Sequence, residues 1–413
     1  MAAYLEISNL TKQYSEGKGI RDVSFSCPEG SFTVLLGPSG AGKTTTISII
    51  AGILQEDEGD VRVHGESIKH VSPQNRKISM AFEDYALYPT HSVFENIASP
   101  LRARKMSDDD INERVHSIAR LLGIDQHLQK LPSQVSGGQK QRTGLSRCLV
   151  RDADIYLLDE PIAHLDAKLR HRMRGEFKRI HKELGKTMIY VSHDFKEALA
   201  LAENLIILNE GEIVQQGPPE EVFSTPRNTF VATLLGDPPM NLVDYDSAEI
   251  KGGRIKLVRD GTQSEIKGTG FGDRTLGRVK LGFRDFTVSI HAEERPNSIE
   301  GRVYVSETVE DYKVYTLTVG NGRVKVLTAR DVDFDIDAPV YIELDPRRIN
   351  LFDGETGEQS LEALRKVRSG QRYLLLNRGR RVRLAARALR LREDLHIAYG
   401  CGARKDIGRR SLD

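Results

Sequence analysis

The chain has 413 residues, 39% of them hydrophobic and 29% charged, which suits a soluble globular protein of two or three domains. With 60 basic against 59 acidic side chains, the overall charge predicts no nucleic acid or other polyanion as partner. No apolar run reaches the roughly 18 residues that cross a bilayer, the start Met1-Ala2-Ala3-Tyr4-Leu5-Glu6 predicts no signal peptide, and Cys27, Cys148 and Cys401 show neither metal-ligand spacing nor a disulfide framework.

Residues 1–235 read as alternating strand and helix. A short apolar run over 31–36 leads into a glycine-rich turn and then a helix over 43–51. Further buried-strand candidates lie at 155–158, 188–191 and 205–208. Apolar runs separated by helical segments predict an α/β sheet covered on both faces. The stretch 89–150 reads as a helical subdomain. Within it, 107–122 is an amphipathic helix that Ser107 can cap, with Asp108, Asp109 and Asp110 in its first turn.

Gly236-Asp237-Pro238-Pro239 reads as a linker. Beyond it, short alternating runs at 302–306, 314–319 and 340–344, broken by Gly, Asn and Asp, predict a small all-β domain over 236–358. Residues 359–413 form a Leu/Arg/Ala-rich tail. From position 361 onward 15 basic residues face 5 acidic ones, a net of +10. No repeat occurs at periods of 20–50 residues.

Gly37-Pro38-Ser39-Gly40-Ala41-Gly42-Lys43-Thr44, followed by Thr45, fits the phosphate-binding loop between a strand and a helix. Its glycines let backbone N–H groups turn toward phosphate oxygens, and the helix start adds positive potential. Lys43 is placed to reach the β- and γ-phosphates, and the Thr44 hydroxyl to bind Mg²⁺. By itself the loop predicts only a nucleotide binder, with Mg²⁺. Ile155-Tyr156-Leu157-Leu158-Asp159-Glu160 is an apolar strand ending in two carboxylates. Asp159 suits Mg²⁺, directly or through water, and Glu160 suits polarising a hydrolytic water.

Between these motifs, Val135-Ser136-Gly137-Gly138-Gln139-Lys140-Gln141-Arg142 resembles the signature segment of ABC ATPases. The resemblance implies that Ser136, Gly137, Gly138 and Gln139 bind the γ-phosphate of ATP held by an opposite subunit. It also makes Leu165-Asp166 similar to the D-loop and His193, in Tyr190-Val191-Ser192-His193-Asp194, similar to the switch histidine that contacts the γ-phosphate. Tyr14 resembles the aromatic residue that stacks on adenine. Tyr85-Ala86-Leu87-Tyr88-Pro89, Glu95-Asn96-Ile97-Ala98 and Leu165-Asp166-Ala167-Lys168-Leu169-Arg170 resemble ATPases of carbohydrate importers. Leu281-Gly282-Phe283-Arg284 and Leu351-Phe352-Asp353 resemble the regulatory oligonucleotide-binding-like barrel of that subfamily.

The fold implied is a P-loop ABC ATPase followed by a small barrel. The activity implied is ATP hydrolysis powering import of a carbohydrate, polyol or glycerol phosphate. The partners implied are a second ATPase subunit, identical or paralogous, integral membrane permease subunits and indirectly a solute-binding protein, at the cytoplasmic face of the membrane. A soluble ABC ATPase of translation or repair, or a regulatory binding protein, is the alternative.

The sequence departs from the family at several places. Glu83 stands where the family usually has Gln, keeping an oxygen ligand for Mg²⁺ but adding charge and losing an amide donor. Val135 replaces Leu, Ala163 replaces a frequent Ser, and Gly144 weakens the helix after the signature by about 1 kcal/mol, either to let a neighbour approach closely or as a residue merely tolerated there. The arginines from Arg378 to Arg392 read either as a basic amphipathic helix for acidic lipid or as a poorly ordered extension.

Overall fold

The strand β3 (Phe32–Leu36) is buried at all five positions, and its side chains divide by parity. Val34 and Leu36 join one hydrophobic cluster, whereas Leu35 joins another on the opposite face. That two-sided burial is what an uninterrupted apolar run requires. The computed structural model describes residues 3–14, 18–163, 165–269, 272–309 and 311–360 and divides the chain into two units, Met1–Pro239 and Met240–Asp413. The basic tail from position 361, with the stretch from Arg378 to Arg392 read as a lipid-binding helix or a poorly ordered extension, lies outside the described residues.

In the first unit, β1 (Ala3–Gln13) and β2 (Gly19–Pro28) precede β3, and α1 (Lys43–Ala51) follows it. Next come β4 (Glu58–Val63), β5 (Glu66–Ser67) and β6 (Ile78–Ala81). Three helices then run in succession: α2 (Val93–Ala103), α3 (Asp108–Leu121) and α4 (Gly137–Leu149). The unit continues through β7 (Ile155–Asp159), α5 (Ala167–Leu184), β8 (Thr187–Ser192), α6 (Phe195–Leu201), β9 (Asn204–Asn209) and β10 (Glu212–Gly217). The helices α7 (Pro219–Ser224) and α8 (Thr229–Leu234) close it.

The main sheet has the order β10-β9-β3-β8-β7-β6. Its pairs are parallel except β10 with β9. The α3 cap is the expected one: Ser107 Oγ accepts from the Asp110 amide, and Asp108, Asp109 and Asp110 occupy the first turn.

The opening of the chain corrects the reading of simple strand–helix alternation. Among the described residues β1, β2 and β3 follow one another without a helix, and β2-β1-β4-β5 form a separate antiparallel sheet. Bulges interrupt the pairing of β1 between Ile7 and Leu10, and Asn9 there has φ 49°. They break the period-2 pattern by which a half-buried strand is recognised.

The second unit is all-β among the described residues, with every pairing antiparallel. Asn241–Tyr245, Val279–Phe283 and Asn350–Asp353 make a three-stranded sheet. Four strands between Ser247 and Leu276 make a second sheet, and five between Val288 and Leu344 a third. Ser298–Val309 shows how the sequence sets this: Ile299, Gly301 and Val303 face inward while Glu300, Arg302 and Tyr304 are exposed. Phe283, Tyr315, Leu317, Val326, Ile342 and Leu351 lie in its core.

Candidate functional site

Three neighbouring parallel strands end at one edge of the main sheet, and each delivers part of the site. β3 runs into the glycine loop. Gly40 and Gly42 adopt φ 82° and 97°, conformations that side chains with a Cβ resist. Gly42 is also the N-cap of α1, and no side chain caps that end. The first amides of α1 are therefore left for an anion. Pro38, Ser39, Gly40 and Thr44 are exposed, Ala41 is buried, and Thr45 is half-buried.

Lys43 is only 5% exposed. Its Nζ donates to the carbonyl oxygens of Gly37 and Pro38, both at 2.9 Å, and lies 3.8 Å from Glu160 Oε1. Burial pulls its pKa down, opposed by the nearby charges of Glu160, Asp159 and Glu83. The Thr44 hydroxyl donates to Asp159 Oδ1 at 3.2 Å. Burial pushes the Asp159 carboxyl up to about 6, with Glu160 and Glu83 adding to the rise and Thr44 and Lys43 opposing it. Glu160, the first residue past β7, has φ 43°, a left-handed backbone that non-glycine residues enter at a cost. Its amide donates to the Val191 carbonyl at 3.2 Å. From the end of β8, His193 places Nδ1 2.7 Å from Glu160 Oε2. One site thus gathers Lys43, Thr44, Asp159, Glu160 and His193. Glu83, exposed just beyond β6, acts electrostatically on Lys43 and Asp159.

The remaining expected residues make other contacts. Ser136 caps α4 by accepting from the Gln139 amide at 3.3 Å, while Gln139 Oε1 accepts from the Ser136 amide at 2.8 Å. Gln139 Nε2 lies 2.9 Å from His127 Nε2. A Cβ on Gly138 would come within 3.2 Å of Leu165 and Leu169, and Gly137 faces open space. Asp166 caps α5, accepting from the Leu169 amide at 2.9 Å. Among the described residues, none of these contacts reaches the P-loop of the same chain. Tyr14 stands exposed just past β1.

Residues 20–163 match the family described as ABC transporter. The chain is 36% identical over 377 residues to the trehalose/maltose import ATP-binding protein of Thermococcus litoralis, covering 86% of this chain and 99% of that one. It is 36% identical over 374 residues to the xylose/arabinose import ATP-binding protein of Haloferax volcanii, covering 86% and 95%. This chain belongs to the ATP-binding subunits of ABC importers. A spermidine/putrescine import ATP-binding protein of Thermotoga maritima is 35% identical over 351 residues, covering 81% of this chain and 92% of its own. A solved ATP-binding cassette, dimeric and bound to ADP and Pi, aligns with 52% of this chain and 98% of its own at 28% identity and TM-score 0.49.

This ABC ATPase also uses residues that motif reading passed over. Glu197, buried in α6, accepts from Tyr190 OH at 2.9 Å and Ser192 Oγ at 2.8 Å, and burial raises its pKa. Ser192 Oγ in turn accepts from the Asp194 amide at 2.9 Å. The network fixes the backbone on both sides of His193. A carboxylate four residues past a histidine, on the inner face of a short helix, is the only sequence signal it leaves.

Proposed function

We propose that this subunit powers import of a carbohydrate, polyol or glycerol-phosphate-like solute. It works as a dimer with a second ATPase subunit, identical or paralogous, at the cytoplasmic face of the membrane. Separate permease chains carry the solute, fed by a solute-binding protein. The convergence of Lys43, Thr44, Asp159, Glu160 and His193 at one sheet edge, in a chain whose relatives are named for import, carries this reading. Among the described residues no helix is long and apolar enough to cross a membrane, which fits permeation through other chains. The sugar relatives, together with the segment Tyr85-Ala86-Leu87-Tyr88-Pro89, favour a carbohydrate over the polyamine of the third relative.

In this reading ATP lies across the Gly37–Thr45 loop. Lys43 exchanges its two carbonyl partners for phosphate oxygens, and the uncapped amides of α1 take others. Thr44 and Asp159, already 3.2 Å apart, with Glu83 beside them, offer the hydroxyl and carboxylate oxygens that suit Mg²⁺. When bound, that ion neutralises phosphate charge. Glu160, oriented by His193, accepts a proton from the attacking water. Tyr14 stacks on adenine. Ser136, Gly137, Gly138 and Gln139 serve the ATP of the opposite subunit, with Asp166 beside them. The contacts of these residues with Gln139, His127, Leu165 and Leu169, none of them to their own P-loop among the described residues, support two subunits sharing each nucleotide. Affinity purification from native membranes tests the proposal. Recovery of a polytopic membrane protein whose solute-binding partner is stabilised by sugars or polyols is expected; a permease served by a polyamine-binding partner would refute the solute class.

A further inference from the structure

The segment after β6 is fastened to the helix that carries the signature. Ala81 lies opposite Leu158 in the parallel β6–β7 pair, so Phe82 and Glu83 leave the sheet alongside Asp159 and Glu160. Two residues later the backbone does something unusual: Tyr85 and Ala86 have φ of 60° and 40° in succession, a region that residues with a Cβ rarely occupy once, let alone twice. Both carbonyls are held by one side chain. Arg147, on α4, donates from Nη2 to the Tyr85 carbonyl at 2.6 Å and from Nη1 to the Ala86 carbonyl at 2.7 Å, and its guanidinium carbon lies 5.6 Å from the Tyr88 ring centroid.

Gly144, nearly one turn before Arg147, makes the approach possible. A Cβ there would lie 3.1 Å from Tyr85 Cβ and 3.3 Å from its Cα and carbonyl oxygen. From the other side, the buried Asn96 of α2 accepts from the Tyr88 amide at 2.7 Å and donates to the Tyr88 carbonyl at 3.1 Å. The glycine that weakens α4 on propensity therefore admits a neighbouring backbone.

We infer that Arg147 is a positioning residue for ATP hydrolysis: its two-pronged bond to the Tyr85 and Ala86 carbonyls sets where Glu83 stands beside Asp159 and ties that position to the signature helix. This rests on the reading above, in which Glu83 helps hold Mg²⁺ at the P-loop. A planar guanidinium presents two parallel donors to two consecutive carbonyls, whereas a lysine ammonium presents a single point charge.

The experiment uses the full chain as wild type, Arg147→Ala, Arg147→Lys, Gly144→Ala, Glu83→Ala and the Arg147→Ala/Glu83→Ala double variant. Three quantities are read: the Mg²⁺ midpoint of hydrolysis at saturating ATP, binding of a fluorescent ATP analogue with and without Mg²⁺, and amide exchange across residues 82–88. Arg147→Ala is expected to raise the Mg²⁺ midpoint about tenfold and to leave Mg²⁺-free analogue binding within about twofold. It should also speed exchange in the segment. Arg147→Lys recovers part of the loss, and Gly144→Ala reproduces part of it. On the Glu83→Ala background, which removes the oxygen ligand altogether, Arg147→Ala should move the midpoint by less than about twofold, because the two residues act in series. An unchanged midpoint and unchanged exchange in Arg147→Ala overturns the inference, as does a full tenfold effect without Glu83. Should Arg147→Ala not fold, Arg147→Lys and Gly144→Ala carry the same two criteria. The underlying reading fails separately, if wild type hydrolyses ATP no faster than Lys43→Ala.

Discussion

Replacing Asp159 with Asn should stabilise the first unit while abolishing hydrolysis. Asp159 is 3% exposed, and its pKa rises from 3.8 to about 6, chiefly through burial. In the folded state the carboxyl therefore holds its proton to higher pH than in the unfolded chain. Stability is lost as pH climbs from the unfolded toward the folded value, and above about 6 the penalty is complete. At about 1.4 kcal/mol per pH unit the rise corresponds to about 3 kcal/mol. Asparagine removes the charge but keeps an oxygen to accept from Thr44, whose hydroxyl is 3.2 Å away. In Mg²⁺-free buffer at pH 7.5, Asp159→Asn should thus be more stable by up to about 3 kcal/mol, or several degrees in Tm. The advantage should shrink as pH falls through this window and approach zero only below the unfolded value of 3.8, where Asp159 becomes neutral in both states. Circular dichroism at helical wavelengths is the assay: the chain has no tryptophan, and among the described residues all helices lie in the first unit. An Asp159→Asn variant no more stable than wild type at pH 7.5, or a gain that does not vary with pH, would refute the reasoning.

Lys43→Ala should weaken ATP binding by about ten- to a hundredfold, the worth of a charge-assisted hydrogen bond to phosphate; titration with a fluorescent analogue measures it. Glu160→Gln should lower kcat by about 10² to 10⁴ while ATP affinity stays nearly constant, since the base acts on water and not on the nucleotide. Glu83→Gln should make hydrolysis less steeply dependent on Mg²⁺, because it removes a charge facing the phosphates; coincident Mg²⁺ titrations for both proteins would contradict this. Glu197→Ala should cost about 2–4 kcal/mol by leaving Tyr190 OH and Ser192 Oγ without their acceptor, whereas Glu197→Gln should cost less than about 1 kcal/mol. Denaturant midpoints distinguish the two.

What the sequence determined by itself is local chemistry and burial period. β3, β7, β8 and β9 appear within one residue of the apolar runs that announce them, because a strand buried on both faces leaves a continuous apolar signal. The P-loop is legible for a similar reason. Its φ angles demand glycine at Gly40 and Gly42, and its cation is contiguous with them. The tertiary structure decided everything that depends on chain segments far apart. Nothing near Glu160 in sequence shows that it meets His193, 33 residues on, at 2.7 Å. The early antiparallel sheet is hidden because bulges break the period of β1. For Gly144 the sequence left two readings open, close approach of a neighbour or mere tolerance, and only the backbone of Tyr85, about sixty residues earlier, filling the space that it leaves decided for the first. The physical reason is common to these cases: hydrogen bonds and close packing between distant segments carry no periodic trace in either segment, so only their meeting in the fold gives each residue its partner.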